Sequence, residues 1–110
     1  MNLDRPDGVV VIGLAGEVDV FTAGEFRDVL LRAIDTGAQR VVVDAGSVTF
    51  MDSTGLGVFI CGEKRLRLRG GRLVIACHEP RIERLFRITG LDGILSLRGT
   101  REEALQLAAQ

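Results

Sequence analysis

The stretch RVVVDAGSVTFMDSTGLGVFICGEKRLRLRGGRLVIA, residues 40–76, holds a complete strand–helix–strand unit. Arg40-Val41-Val42-Val43-Asp44 is a β-branched run without polar alternation, the pattern of a strand covered on both faces. Ser47 to Met51 reads as a loop or short turn. Asp52 is a good N-cap, and its position predicts a helix from about Ser53 to Arg69. Leu56, Phe59, Ile60 and Leu66 mark the inner face of that helix, and Gly70-Gly71 ends it. Leu73 to Ala76 is the next buried strand. Two such strands joined by one helix form a parallel pair with a right-handed crossover.

The same alternation continues outward in both directions. Val9 to Leu14 reads as a strand whose direction in the sheet is open, followed by Gly16-Glu17-Val18-Asp19 as a turn or short extension. Thr22 and Glu25 form a T-x-x-E capping box, and Phe26, Val29, Leu30, Ala33 and Ile34 follow at helical spacing up to Gly37. Downstream, Pro80 suits the first position of a helix that turns Ile82, Leu85 and Phe86 inward and stops near Gly90. Ile94 to Leu97 reads as a further strand. Thr100 with Glu103 opens a C-terminal helix through Leu105 and Leu107. The expected fold is α/β: a small single-domain sandwich over residues 1–110, with a mostly parallel mixed sheet of four to five strands and about four helices.

Composition narrows the function classes. The chain has 110 residues, 46% hydrophobic and 26% charged, enough for one core without staples. A net charge of -1 lacks the basic balance of a nucleic-acid binder, so no nucleic acid is expected as partner. Met1 to Gly8 is polar and forms no signal peptide, and no apolar run reaches the ~20 residues of a membrane span. Cys61 and Cys77 read as two buried thiols in a reducing compartment. These features place the protein in the cytoplasm, away from membranes.

In open α/β sheets, sites gather beyond the carboxyl ends of the strands. Three loops there carry polar side chains: Glu17, Asp19 and Thr22; then Asp44, Ser47, Thr49, Asp52, Ser53 and Thr54; then Cys77-His78-Glu79. The middle loop is the densest. Met51-Asp52-Ser53-Thr54-Gly55-Leu56-Gly57 is at least a capped helix start. Yet Gly55 and Gly57 each cost about 0.8–1 kcal/mol against alanine, which calls for close approach of something to the first turns. Backbone N–H groups and the helix dipole there also favour an added anion on Ser53 or Thr54.

Sharper chemistry is not encoded. Thr54 stands where an aspartic-protease triplet needs glycine, and Met51 stands where a nucleophile elbow does. No phosphate-binding or dinucleotide-binding glycine motif occurs, so no cofactor is expected. Cys77, His78 and Glu79 are adjacent, the wrong spacing to converge on a metal. His78 reads as an ordinary loop histidine. The basic run Lys64, Arg65, Arg67, Arg69 and Arg72 reads as solvated charge complementing a helix C-terminus.

These residues bear a family likeness. Val41-Val42-Val43-Asp44, Val48-Thr49-Phe50-Met51 and Asp52-Ser53-Thr54-Gly55-Leu56-Gly57 match in order the signature of the bacterial STAS-domain anti-sigma-factor antagonists, a strand ending in Asp and then D-S-[ST]-G-[LI]-G. Gly16-Glu17-Val18-Asp19 is similar to the family's G-E-[LIV]-D element. Arg84 to Asp92, then Glu102-Glu103-Ala104-Leu105, resemble its C-terminal pattern. Ala45-Gly46 departs from the leucine often found after the strand Asp.

The resemblance implies a non-enzymatic partner switch, a monomer or weak dimer. Unphosphorylated, it would bind an anti-sigma factor with serine-kinase activity and so free a sigma factor. Phosphorylation of Ser53 would end that contact, and a PP2C-type phosphatase would restore it. By the same resemblance Asp19, Asp52, Ser53, Thr54, Gly55 and Gly57 face the partner, and Asp44 lies on that edge or braces the loop. A phosphate beside Asp52 would repel the partner without refolding the chain. Another class of function stays open: a STAS-type scaffold, or a small-ligand (nucleotide) binding module in a signalling or transport complex.

Overall fold

The computed structural model describes residues 1–110, the side chain of Asp7 excepted. Five strands and four α-helices follow in the order β1 (Asn2–Asp4), β2 (Val10–Val18), α1 (Ala23–Asp35), β3 (Arg40–Met51), α2 (Ser53–Leu68), β4 (Arg72–Ala76), α3 (Pro80–Ile88), β5 (Ser96–Arg98) and α4 (Arg101–Ala108). The strands lie side by side in chain order; β1 runs antiparallel to β2 and every other neighbour pair is parallel. The expected mixed α/β sandwich is the fold observed.

Alternation along the strands divides the apolar residues between two faces. Val10, Ile12, Val41, Val43, Leu73 and Ile75 join the large core under α1, α2 and α3. Val9, Val11, Val42, Val74 and Ala76 turn the other way and pack with Ala104 and Ala108 of α4. Burial on both faces is why these runs carry no polar alternation. Three fully buried aromatics tie the first layer together. Phe26 of α1 meets Phe59 of α2 edge to face at 5.1 Å, and Phe59 meets Phe86 of α3 at 5.5 Å.

Several expectations need correction. Asn2–Asp4, read as polar chain, forms edge strand β1. Ser47 to Met51 is not a loop: β3 continues to Met51 because β2 also continues to Val18, with register irregularities after Gly13 and Gly16. The predicted capping box at Thr22 does not form. Thr22 sits at the N-cap of α1 without a side-chain cap bond, because its hydroxyl donates to Glu17 O at 2.8 Å. The last strand begins at Ser96 rather than Ile94, which is exposed. Ile60 and Leu85 are half-buried, and α4 buries its alanines while Leu105 and Leu107 are only half-covered. Cys77 is buried, but Cys61 is half-exposed. Arg65 and Arg69 of the basic run pair with Asp35. No helix among the described residues is long and apolar enough to cross a membrane.

Candidate functional site

The first turn of α2 forms the site. Asp52 has extended backbone, φ -107° and ψ -174°, which turns the chain out of β3 into the helix. Its carboxylate Oδ1 accepts from the N–H groups of Thr54 at 2.9 Å and Gly55 at 3.2 Å, so two otherwise unpaired donors are satisfied. The Asp52 N–H donates to Val18 O at 3.2 Å, tying this turn to the end of β2. Ser53 and Thr54 follow, both exposed.

The neighbouring turn after β2 is held just as firmly. Asp19 Oδ1 accepts from Phe21 N at 2.9 Å and Thr22 N at 3.2 Å, and the Asp19 N–H donates to Thr22 Oγ1 at 3.0 Å. Desolvation acts upward on the Asp19 carboxyl. The bonds from the Phe21 and Thr22 N–H groups and from the Thr22 side chain outweigh it and hold the group below the usual carboxylate range. Asp19 therefore fixes the turn that leads into α1, while the N-cap position itself stays with Thr22.

Between α1 and α2 runs an open groove of about 420 Å³. Val20, Ala23 and Gly24 form one wall; Gly57, Val58 and Cys61 form the other, with Arg27 and Thr54 along it.

The two glycines of the motif play different parts. A Cβ on Gly55 would stand 2.9 Å from Met51 Cγ and Val18 Cγ1 and 3.0 Å from Val18 O, so Gly55 lets the helix start close onto β2 and β3. A Cβ on Gly57 would meet nothing within 4 Å. Opposite stability effects are expected. Gly55→Ala overpacks the helix start and should cost about 1–3 kcal/mol. Gly57→Ala should gain up to about 1 kcal/mol from helix propensity. Urea unfolding of both variants checks this; a stable Gly55→Ala protein would remove the packing explanation.

Asp44 is not brought to this edge. The rest of β3 lies between it and Asp52. Its Oδ2 takes a bond from Arg101 Nε at 2.8 Å, and its Oδ1 takes one from Gly46 N at 2.9 Å. It braces β3 against α4, on the other side of the sheet from α2. His78 is exposed and stands with Asp44, Gly46 and Arg101 around a separate polar hollow. Cys77 is a poor nucleophile: desolvation pushes its thiol up, and the Glu83, Glu79 and Asp44 carboxylates push it further, against one backbone hydrogen bond of Glu79.

Sequence reading passed over Phe21 and Phe50. Both are large, apolar and exposed at the same edge as Ser53.

Comparison with known proteins follows the same lines. The STAS domain family model matches residues 1–104. An anti-sigma-B factor antagonist of Bacillus subtilis is 36% identical over 107 residues, which cover 96% of each chain. The crystal structure of an anti-sigma factor antagonist from Mycobacterium paratuberculosis superimposes with a TM-score of 0.92 at 26% identity, covering 99% of this chain and 92% of that one. The Bacillus cell fate determinant SpoIIAA, solved in its phosphorylated form, gives a TM-score of 0.75 at 28% identity, covering 96% of each chain. With the family model matching residues 1–104 and a relative 36% identical over 107 residues, the chain belongs to the STAS domain family.

Proposed function

We propose that this chain is an anti-sigma factor antagonist that works by exchanging partners. Unphosphorylated, it binds an anti-sigma factor with serine-kinase activity, and a sigma factor is set free. The kinase transfers the terminal phosphoryl group of ATP to Ser53 Oγ, the contact fails, and a PP2C-type phosphatase hydrolyses the phosphoserine to restart the cycle. The chain is substrate and ligand, not catalyst, and it acts in the cytoplasm as one unit over residues 1–110. Asp19, Asp52, Ser53, Thr54 and Gly57 meet the partner, and Gly55 lets the helix start sit where they converge.

One observation carries this reading: the exposed Ser53 hydroxyl stands at the first position of α2 on a frame fixed by Asp52 and Asp19. A kinase needs such a hydroxyl held still and reachable. Asp52 already occupies the N–H groups of Thr54 and Gly55. A phosphate on Ser53 therefore finds those two backbone donors taken, and its charge of about -1.5 to -2 stands at the contact face. The names of the Bacillus and Mycobacterium relatives support the same role.

The test is affinity capture from the native lysate with wild-type, Ser53→Ala and Ser53→Asp baits, with mass spectrometry of bait and retained proteins. Wild type and Ser53→Ala are expected to hold the same ATP-binding anti-sigma factor, Ser53→Asp to lose it, and part of the wild-type bait to carry phosphate on Ser53. Identical retention by all three baits, with Ser53 unmodified, would reduce Ser53 to a helix-start residue and bring forward the scaffold reading.

A further inference from the structure

The edge that carries Ser53 also carries apolar side chains the fold does not use. Phe21 is 89% exposed, Val20 64% and Phe50 50%. Single exposed apolar residues are ordinary on a protein surface. These three are not scattered. Val20 and Phe21 leave the end of β2, and Phe50 is paired with Glu17 at the end of β3. The Asp52–Val18 backbone bond at 3.2 Å holds the two strand ends together. Val20 also lines the groove that Thr54 and Gly57 enter from α2.

The loop presenting Phe21 is already ordered. The Phe21 N–H is bonded to the Asp19 carboxylate at 2.9 Å, and Thr22 closes the same turn onto Glu17 O at 2.8 Å. An aromatic ring held out on a fixed loop loses little further freedom when it is buried by a partner. Glu17 is the register partner of Phe50, Asp19 precedes Val20 and Asp52 follows Met51, so acidic residues flank the apolar ones along the chain, with Arg27 on the groove that Val20 lines.

We infer that Phe21, supported by Val20 and Phe50, is the affinity anchor of this edge, seated in an apolar socket on the partner whose border carries Lys or Arg toward Glu17, Asp19 and Asp52. This rests on the reading that the partner is an anti-sigma factor kinase. Buried aromatic anchors inside a polar rim carry most of the energy of protein contacts. A second copy of the chain is the poorer occupant. A two-fold contact would bring these acidic residues of both copies face to face, and like charges oppose it. Ser53 then acts as the gate and Phe21 as the hold, on one surface but with separate effects.

The experiment takes the anti-sigma factor retained by wild-type bait, purified, and titrates it calorimetrically with wild type, Phe21→Ala, Phe50→Ala and Leu68→Ala. Leu68 is 88% exposed near the far end of α2 and serves as the control for trimming a surface apolar group. Phe21→Ala is expected to weaken binding about 30- to 100-fold. Phe50→Ala should weaken it less, Leu68→Ala by less than twofold, and thermal unfolding of all four should coincide. Phe21→Ala binding within twofold of wild type overturns the inference. So does sedimentation showing a dimer of the free protein that Phe21→Ala dissolves while partner affinity is unchanged. A retained partner indifferent to Phe21 defeats this inference alone; no retained partner defeats the partner-switch reading beneath it.

Discussion

Phe59→Ala is expected to lower the unfolding free energy by about 4 kcal/mol. Phe59 is 0% exposed and is the only ring of the buried three that touches both others. Its removal takes away the transfer energy of the ring and leaves a cavity between three helices and the sheet. It also breaks two edge-to-face contacts, each worth about 0.5–1.5 kcal/mol beyond burial. Domains of this size commonly hold about 5–15 kcal/mol in all, so the variant should sit near the edge of folding. Urea unfolding followed by circular dichroism measures it. A loss below about 1 kcal/mol would mean that α1 and α3 close over the gap, against the packing described. The contrast with Phe21→Ala is instructive: one phenylalanine should cost stability and no affinity per folded molecule, the other affinity and no stability.

The second large effect is on binding. Phosphate on Ser53 is expected to weaken the partner about a hundredfold or more, equivalent to about 3 kcal/mol. Three contributions act together. The group is bulky at the centre of a contact face. It must shed water from a near-dianion without backbone donors to replace it, since Asp52 holds the N–H groups of Thr54 and Gly55. And a serine kinase presents nucleotide phosphates toward this hydroxyl, so after transfer like charges face one another. Nothing in this requires the chain to refold. Amide NMR shifts of the free phosphoprotein should change around residues 50–57 and the adjoining Asp19 turn, and stay put in β4, α3 and α4. Shifts spread through the sheet, or affinity unchanged by phosphorylation, would defeat this account.

Most of the architecture was legible because period decides it. Runs such as Val41-Val42-Val43 and Leu73 to Ala76 have two covered faces and admit no polar residue. The cap at Asp52 was legible because its bonds reach only two and three residues along the chain. What failed to show depends on a partner elsewhere. Asn2–Asp4 is a strand only because β2 offers it an edge. Ser47 to Met51, read as a loop or short turn, is strand only because the short extension of β2 through Val18 runs alongside it. Placing the end of β3 at Asp44 put that carboxylate on the wrong edge; the longer strand carries it to Arg101. At Thr22 the T-x-x-E pattern fails because the hydroxyl turns back to Glu17 O and the Asp19 N–H instead of forward to the first turn of α1. The glycine cost at residue 55 was real, but its first cause is Val18 and Met51 within the chain. Exposure of Phe21 cannot be read from residue type at all, since an aromatic beside a buried run normally joins it.

The strands stand in the sheet in the order in which the chain makes them. Every strand pairing therefore joins a strand to its neighbour in the chain, and no strand waits for a partner strand from the far end. Loop-closure entropy grows with the length to be closed and must be met before the pairing rewards it. Here it is met in short steps, one βαβ unit at a time. A chain leaving the ribosome could lay down β2 and β3, and with them the whole Ser53 edge, before β5 and α4 exist. The switch would thus be assembled while the α4-covered face behind it is still bare.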